Sequence, residues 1–347
     1  YENVSAVPHV EVIGASHPLP DEQGFAAAEH IISLAQHAKE DELVLVLISG
    51  GGSALIPYPV EGVTLEEKII TTNLLLSCGA TIHEMNCVRK HLSQIKGGGL
   101  VKFIHPATCY TLILSDVLDD DLSVIASGTT VCDNTTFTDA IRILKSKAVW
   151  DLLPESVKLH LTQGEQGLIA ETPKINDPIF HNVTNCLIGS NMVSVNAMQD
   201  AAQSLKYQVI LYEHPLCGEA RDVAAQWVRW LKNEIPRYVK NSSVKRMAFL
   251  TGGETTVTLR GGGRGGRNQE MALAFAMAAK EQVFDGKWIF LSGGSDGIDG
   301  TSPAAGGIVD TNTLSRIRAM QLNPRDLLDD NNSYLSLIHI SEPTRRS

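Results

Sequence analysis

Three apolar segments of this chain end in the same way, in a serine or threonine followed by two glycines. They are LISGGGSA (47–54), FLTGGETT (249–256) and FLSGGSDG (290–297). Apolar runs bounded by glycine predict buried strands. In an open α/β sheet, ligands bind outside the carboxyl ends of the strands, and glycine lets backbone N–H groups approach an anion there.

A tight turn is the alternative explanation for each of these loops taken singly. Three loops of the same chemistry favour a ligand, and we interpret the first glycines as serving both a sharp turn and the close approach of an anion. The loops then predict two phosphate-binding surfaces that face one cleft. The candidate binding residues are Ser49, Gly50, Gly51, Gly52, Ser53, Gly252, Gly253, Glu254, Gly293 and Gly294.

The composition is that of a globular chain and argues against two classes of partner. The chain has 347 residues, 43% of them hydrophobic, which is enough for two domains. Its formal net charge is -10 and it has no basic stripe, so we expect no binding to nucleic acid. No apolar run approaches the length of a membrane span, so we expect no membrane. The six cysteines lie far apart, which is typical of free thiols in a reducing compartment.

Strand and helix patterns alternate along the chain, which predicts an α/β fold. The continuous apolar run at 43–48 predicts a strand covered on both faces. Thr64 and Glu67 predict a capping box at the start of a helix over 64–79. The polar segment 240–245 predicts a domain boundary. The other predicted elements are helices over 84–99, 225–239 (disturbed at Pro236) and 267–281, strands over 111–117, 246–252, 255–261 and 288–293, and a βαβ unit over 187–213.

Five glycines surround two arginines in GGGRGGRNQE (261–270), just before a predicted helix. Arg267, at the start of that helix, is a candidate for a bidentate clamp on a phosphate or carboxylate. Gly266, Asn268 and Gln269 are candidates for further contacts. A flexible loop with solvated arginines is the alternative.

Two carboxylates are candidates for catalysis and for binding Mg²⁺. Asp116 lies at the end of a predicted strand, ahead of an acidic run at 119–121 that is typical of a solvated loop. Asp296 lies with Asp299 in SGGSDGIDG (292–300), where an Asx turn is the alternative. Mg²⁺ needs only one or two carboxylates in addition to phosphate oxygens.

The segment NCVRKHLSQIKGGG (86–99) contains four candidate binding residues: Asn86, Arg89, Lys90 and Lys96. Helical spacing places Asn86 and Lys90 roughly on one face. A solvated basic face is the ordinary interpretation of this pattern, and a basic helix that points at an anion is the alternative.

Several well-known motifs are absent from the sequence. There is no GxxxxGK[ST] of a P-loop NTPase, no HRD or DFG of a protein kinase, and no GxSxG of a hydrolase. A GxGxxG motif with an acidic residue about 20 positions further on is also missing, which argues against a nicotinamide cofactor.

Together the ordered motifs over 1–334 resemble the type-2 glycerate kinases. The motifs are SGGGSALIPYPVEGVTLEEK, HEMNCVRKHLSQIKGGG, LSDV, VIASG, IGSN, GGE-T, GRGGRNQE and SGGSDGIDG, the last three being typical of the MOFRL domain. The resemblance implies two three-layer α/β/α domains, 1–240 with a mostly parallel Rossmann-like sheet and 246–334 with a mixed sheet, and an active site between them. It also implies ATP-dependent phosphorylation of D-glycerate with Mg²⁺, 2-phosphoglycerate being favoured over 3-phosphoglycerate. Arg267, Asp296 and Asp116 are then the expected catalytic residues.

The resemblance carries further expectations. The family has a lysine in a Gly-Lys-Ala segment upstream of Tyr1, so we expect this chain alone to be inactive. Asp119 stands where the family has glycine, and Thr130 where it usually has proline. Residues 335–347 look like a translated sequencing adapter and are expected to be non-native. A homodimer is compatible with the family, as is a cytoplasmic location, with mitochondria as the alternative. The rival functions are a hydroxypyruvate reductase and a non-catalytic nucleotide- or anion-binding module.

Overall fold

The computed structural model describes residues 7–117, 119–239, 246–282 and 286–338. They fall into two compact units, the first ending at Ser190 and the second beginning at Asn191. Helices and strands are mixed in both, which confirms the predicted α/β class. The predicted boundary at 240–245 lies outside the described residues, and the division of the chain there stays a prediction. No helix among the described residues is long and apolar enough to cross a membrane.

The first unit is built on a parallel three-stranded sheet in the order β1-β2-β3. Its strands are β1 (Leu43–Ile48), β2 (Thr108–Leu114) and β3 (Val183–Gly189). Its helices are α1 (Glu22–His37), α2 (Gly52–Leu55), α3 (Leu65–Ser77), α4 (Ile82–His91), α5 (Gly99–Ile104), α6 (Phe137–Ser146) and α7 (Glu155–Glu165), with 3₁₀ turns at Ile125–Ser127, Trp150–Leu152 and Pro178–Asn182.

Strand β1 lies where the sequence predicts it, but its two faces differ. Leu43, Leu45 and Leu47 are 61%, 55% and 70% exposed. The alternate residues Val44 and Val46 pack on a core formed mainly by α1 and α5. The expectation that both faces are covered is therefore wrong for the described residues, because these helices lie against one face of the sheet only.

Local sequence sets the start of helix α3, whereas contacts with another segment accompany the end of helix α4. Helix α3 has the predicted capping box: Glu67 N–H donates to the Thr64 hydroxyl at 3.2 Å, and Thr64 N–H donates to the Glu67 carboxylate at 2.8 Å. Helix α4 ends at His91, well before the predicted residue 99. The amides beyond it serve other segments, since Gly97 N–H donates to Ser127 O at 3.0 Å and Gly98 N–H to Gly128 O at 2.7 Å.

The second unit packs around helix α10 (Arg267–Gln282), which is buried along most of its length. The strands pair in twos: β4 with β6 and β5 with β7 in parallel, and β8 with β9 antiparallel. The strands are β4 (Gln208–Leu211), β5 (Leu216–Glu219), β6 (Met247–Leu250), β7 (Gly253–Thr256), β8 (Ile289–Gly293) and β9 (Gly306–Asp310). The other helices are α8 (Asn191–Ser204), α9 (Ala220–Val239), α11 (Thr313–Ala319), α12 (Pro324–Asp329) and α13 (Ser333–Ile338).

Four local expectations for this part of the chain differ from the structure. The βαβ unit is wrong, because β3 pairs with β2 whereas β4 pairs with β6. Helix α9 continues through Pro236, which removes only one N–H close to the helix end. Strand β7 ends at Thr256, and the N–H groups of Arg260 and Gly261 donate to Asn331 Oδ1 instead. Helix α13 extends into the segment 335–347 that is expected to be non-native, and Leu337 there is only 4% exposed. Residues 339–347 lie outside the described residues.

Candidate functional site

The loop that leaves β1 is a tight turn with very little space above it. We call residues 49–53 the glycine loop; it leads from β1 into the short helix α2. Gly51 has φ +80°, a left-handed conformation that favours glycine. A Cβ atom on Gly51 would lie 3.1 Å from the ring of His17, and one on Gly50 would lie 3.0 Å from Asp116 Oδ2. The loop therefore makes the predicted sharp turn, whereas the close approach of an anionic ligand stays a prediction.

Asp116 reaches the glycine loop because β1 and β2 are parallel neighbours. The carboxyl ends of the two strands lie at one edge of the sheet, so the residues that follow Ile48 and Leu114 meet there. Asp116 is exposed, and its carboxylate makes no hydrogen bond or ion pair with the described residues. No cluster of three or more His, Cys, Asp or Glu that could hold a metal occurs in the described part of the chain. A single free carboxylate still fits Mg²⁺, which takes its remaining ligands from phosphate and water.

A chain of hydrogen bonds starts at the last residue of the glycine loop. Lys96 Nζ donates to Ser53 O at 2.7 Å and to Ser53 Oγ at 2.8 Å. Ser53 Oγ lies 2.8 Å from Ser127 Oγ, and Ser127 Oγ donates to Asn86 Oδ1 at 2.9 Å. Because Ser127 has one O–H, which it gives to Asn86, Ser53 is the donor between the two serines. The structure therefore brings Ser53 together with Asn86 and Lys96, which the sequence analysis selected in a different segment.

Ser127 is a member of this site that sequence reasoning missed. It belongs to the segment VIASG, which contributed to the family resemblance only as a motif. Ala126 and Ser127 have φ +49° and +57°, a left-handed conformation that is costly for non-glycine residues and is concentrated at functional sites. The backbone bonds from Gly97 and Gly98 hold the segment in this form. The left-handed backbone conformation of Ala126 and Ser127, within the motif VIASG, is the structural signal that identifies Ser127 as a site residue.

Lys96 of this network lies close to two further cations, the buried Lys68 and the partly buried Arg89. Lys68 is 6% exposed and Lys96 is 2% exposed. Burial and then the Arg89 charge lower the pKa of Lys68 to about 7. Burial, followed by the charges of Lys68 and Arg89, holds the pKa of Lys96 well below its ordinary value. The three groups therefore repel one another within electrostatic range. Lys68 is the second residue that the sequence analysis missed.

Lys90 differs from these three cations because its charge is balanced within the protein. Lys90 Nζ lies 3.3 Å from Asp133 Oδ1, and both side chains are buried. Asp133 also accepts hydrogen bonds from the hydroxyls of Thr135 and Thr172. The substrate-binding role of Lys90 stays a prediction, and the contacts present are those of a structural ion pair.

In the second unit the start of α10 is fixed by Asp299. Its Oδ1 accepts from the backbone N–H and the side-chain amide of Asn268 at 3.0 and 3.1 Å, and its Oδ2 accepts from Gln269 N–H at 2.8 Å. A Cβ atom on Gly266 would lie 2.5 Å from the Asp299 carboxyl carbon, so only glycine fits there. Gln269 donates its side-chain amide to Ser302 Oγ at 2.6 Å. Asp299 is thus a buried helix cap.

Arg267, the first residue of α10, pairs with Glu254 of β7. Arg267 Nη1 lies 2.5 Å from Glu254 Oε1, and the two side chains are 42% and 48% exposed. The pair therefore stands in contact with solvent, with several guanidinium N–H groups to spare. The glycines before Glu254 are tightly packed, since a Cβ on Gly252 would overlap the Asn191 side chain and one on Gly253 the backbone of Leu216.

The third glycine-rich strand end places its residues at the surface. Asp296 is exposed, and its Oδ1 accepts from Ile298 N–H at 3.3 Å, which is the Asx turn given above as the alternative. Gly293 pairs with Gly306 at the end of β8, and Gly294 N–H donates to Ala305 O at 2.7 Å. The catalytic role of Asp296 stays a prediction.

Two family models and several known proteins match most of this chain. The family model described as DUF4147, a domain of unknown function, matches residues 1–162, and the MOFRL family model matches residues 247–343. The chain is 43% identical over 329 residues to glycerate 2-kinase of Pyrococcus horikoshii, which covers 94% of this chain and 72% of that protein. It is 38% identical to glycerate kinase of Rattus norvegicus, with 94% and 68% covered.

A solved structure shows the same fold. The crystal structure of glycerate kinase from Thermotoga maritima matches with a TM-score of 0.81 at 38% sequence identity, over 96% of this chain and 77% of that one. This chain thus matches glycerate kinases both in sequence and in fold over nearly its whole length. The chain therefore belongs to the glycerate kinase family that combines a DUF4147 domain with a MOFRL domain.

Proposed function

We propose that this protein transfers the γ-phosphoryl group of ATP to D-glycerate and forms 2-phosphoglycerate. The relative from Pyrococcus horikoshii is named a glycerate 2-kinase, which supports the 2-hydroxyl as the acceptor. The observation that carries the proposal is the hydrogen-bond chain from Lys96 through Ser53 and Ser127 to Asn86 at the glycine loop. In the reaction a glycerate hydroxyl oxygen bonds to the γ-phosphorus, the bond from that phosphorus to the bridging oxygen of ADP breaks, and the hydroxyl proton leaves to solvent.

The glycine loop and Lys96 are assigned to binding an anionic group. Phosphoryl transfer depends mainly on positioning and on charge stabilisation rather than on covalent chemistry by the protein. Lys96 has three N–H donors and uses two of them on Ser53, which leaves one for a ligand. The remaining residues of the loop, Ser49, Gly50, Gly51 and Gly52, offer backbone N–H groups without bulky side chains.

Asp116 is assigned to Mg²⁺ or to the attacking hydroxyl. Bound Mg²⁺ supplies positive charge that neutralises the phosphate oxygens of ATP. The support for Asp116 is that its free carboxylate lies against Gly50, at the loop to which the phosphates are assigned. Asp296 is the second candidate, and its exposed position leaves its carboxylate accessible.

Arg267 is assigned to the carboxylate of glycerate or to the transferred phosphoryl group. A guanidinium binds either group in a bidentate manner. Its pairing with Glu254 orients it in the absence of ligand, and both side chains are accessible to solvent.

The test is a direct assay of the gene product as the cell makes it. The protein is incubated with Mg-ATP and D-glycerate, and the product is followed by phosphorus NMR. A phosphomonoester signal split by one proton shows 2-phosphoglycerate, and splitting by two protons shows 3-phosphoglycerate. Unchanged ATP with no phosphomonoester would refute the proposal, and NADH oxidation by hydroxypyruvate would then be the next assay.

A further inference from the structure

The cluster of Lys68, Arg89 and Lys96 lacks any negatively charged partner in the described part of the chain. None of the three forms an ion pair there, whereas the neighbouring Lys90 pairs with Asp133. Among the described residues, the charges that lower the pKa of Lys68 and Lys96 belong to other members of the cluster and are positive. A cluster of this kind is costly, because removing a cation from water without a counterion is strongly unfavourable.

Two polar atoms at this cluster are buried and have no hydrogen-bond partner among the residues that the structure describes. They are Lys68 Nζ and Asn86 Nδ2, in residues that are 6% and 3% exposed. Asn86 Oδ1 is occupied by Ser127, so its N–H₂ group is the part left over. Asn86 and Arg89 are three residues apart on α4 and therefore share a face. Both of these unpartnered groups are hydrogen-bond donors, and donors complement an oxyanion.

The cluster is connected to the glycine loop through Lys96, whose ammonium group holds Ser53. An anion bound by the cluster would therefore lie next to the loop that the proposed function assigns to substrate. Helix α3 brings Lys68 to this place, and α4 brings Asn86 and Arg89. Three separate segments thus contribute donors to one point.

We infer that Lys68, with Asn86, Arg89 and Lys96, forms the binding site for one oxyanion group of a substrate, either a carboxylate or a phosphoryl group. The identity of the ligand as a substrate rests on the proposed function, whereas the binding of an oxyanion does not. Lys68 is thereby assigned a binding role in addition to the residues that the sequence selects. The same ligand chemistry could come from D-glycerate or from ATP, and the experiment separates them.

The first experiment measures binding by titration calorimetry with three probes, each alone: inorganic phosphate, ATP and D-glycerate. The protein variants are wild type, Lys68→Met and the exposed control Lys39→Met. We expect Lys68→Met to raise the Kd of at least one probe tenfold or more, and Lys39→Met to leave it unchanged. Loss confined to D-glycerate identifies a carboxylate site, and loss for phosphate and ATP identifies a phosphoryl site. Equal affinity in Lys68→Met, or no binding of any probe to wild type, would overturn the inference.

A second variant tests whether the cluster requires a negative charge, and it does so without removing a cation. Asn86→Asp keeps the shape of the side chain and the oxygen that accepts from Ser127, but it adds a carboxylate to the cluster. We expect the melting temperature of the ligand-free protein to rise and the affinity for the probe to fall at least tenfold. A lower melting temperature would show that the cluster does not require an anion.

The two proposals fail in distinguishable ways. If wild type phosphorylates D-glycerate and Lys68→Met binds every probe as tightly, the kinase function stands and the oxyanion site is refuted. If Lys68→Met loses phosphate binding but wild type produces no phosphomonoester, the oxyanion site stands and the kinase function is refuted.

Discussion

Lys96 Nζ lies 2.7 Å from the backbone oxygen and 2.8 Å from the hydroxyl of Ser53, although 43 residues separate them in the sequence. The lysine is almost fully buried and donates two hydrogen bonds to the last residue of the glycine loop. This contact joins two segments that the sequence analysis identified independently as anion-binding candidates. It also fixes the direction of the hydrogen bonds that continue to Ser127 and Asn86.

Replacing Lys96 by methionine tests the role of this contact. We expect kcat/KM for phosphorylation of D-glycerate to fall by about 10- to 100-fold, because a hydrogen bond to a charged group contributes about 1.5–3 kcal/mol and each 1.4 kcal/mol is about tenfold in rate. Steady-state kinetics with Mg-ATP measures the change. Lys39→Met, which removes an exposed lysine from the same unit, serves as the control. Equal activity of the two variants would contradict a functional role for Lys96.

Replacing Arg267 by alanine separates a substrate contact from a structural ion pair. Both members of the Arg267–Glu254 pair are nearly half exposed, and such pairs contribute about 0–1 kcal/mol to stability. We therefore expect the melting temperature to change little and kcat/KM to fall at least about tenfold, as for a lost charged hydrogen bond. Arg142→Ala removes a similar exposed pair, with Asp139, and is expected to leave kcat/KM unchanged. Comparable kinetics of the two variants would remove Arg267 from the mechanism.

The strand ends and the start of α10 could be predicted because their signals are local. The apolar run before Ser49 and the glycines after it define β1 and the glycine loop within a few positions. The pattern beginning at Arg267 likewise predicts α10. What failed were pairings that depend on distant segments, such as the separation of β3 and β4 into different sheets.

The donors at the oxyanion site show the same limit. Asn86 and Lys96 belong to a conspicuous basic segment, and the sequence analysis selected them. Lys68 reads as one polar residue among several in an amphipathic helix. Its burial becomes visible only once α3 has packed against α4, and its unpartnered ammonium group only once the neighbours are known. Ser127 was missed for the same reason, since its two partners lie 74 and 41 residues away.

Substitution of the two aspartates of SGGSDGIDG is expected to change stability by very different amounts. Asp299 is 1% exposed and accepts three hydrogen bonds at the start of α10. Asp299→Ala should lower the free energy of unfolding by about 2 kcal/mol or more, since it removes a helix cap and leaves buried donors unpaired. Asp296 is exposed, so Asp296→Ala should change that free energy by less than about 0.5 kcal/mol. Urea denaturation measures both, and a larger loss for Asp296→Ala would contradict this division.

The kcat of Asp296→Ala then tests whether Asp296 takes part in catalysis. If Asp296 binds Mg²⁺ or orients the hydroxyl, Asp296→Ala loses kcat while the protein stays folded. If it only forms the turn to Ile298, its kcat equals that of wild type and Asp116 remains the single candidate carboxylate.

Lys68 should make the stability of the ligand-free protein depend on pH in an uncommon direction. Burial first, and then the charge of Arg89, lower its pKa from 10.5 to about 7, while Lys96 faces it from the loop before α5. Between pH 7 and 10.5 the unfolded chain therefore carries a proton at Lys68 that the folded protein lacks. Unfolding takes up that proton, so the contribution of Lys68 to the free energy of unfolding increases as pH rises through this window. Below about pH 7 the folded state carries the whole cost of the buried charge, on the order of a few kcal/mol.

The comparison of wild type with Lys68→Met isolates this contribution from that of His91. Burial opposes it, but hydrogen bonds to Cys87 and Glu171 raise the pKa of His91 to about 9, so its stabilisation is present below pH 6.5 and is lost as pH rises through 9. That effect is common to both proteins and cancels in their difference. We expect Lys68→Met to be the more stable protein at pH 6 and its advantage to shrink steadily towards pH 10, as measured by urea denaturation at each pH. Parallel stability curves for the two proteins would mean that Lys68 pays no penalty for its burial, and the requirement for a bound anion would disappear with it.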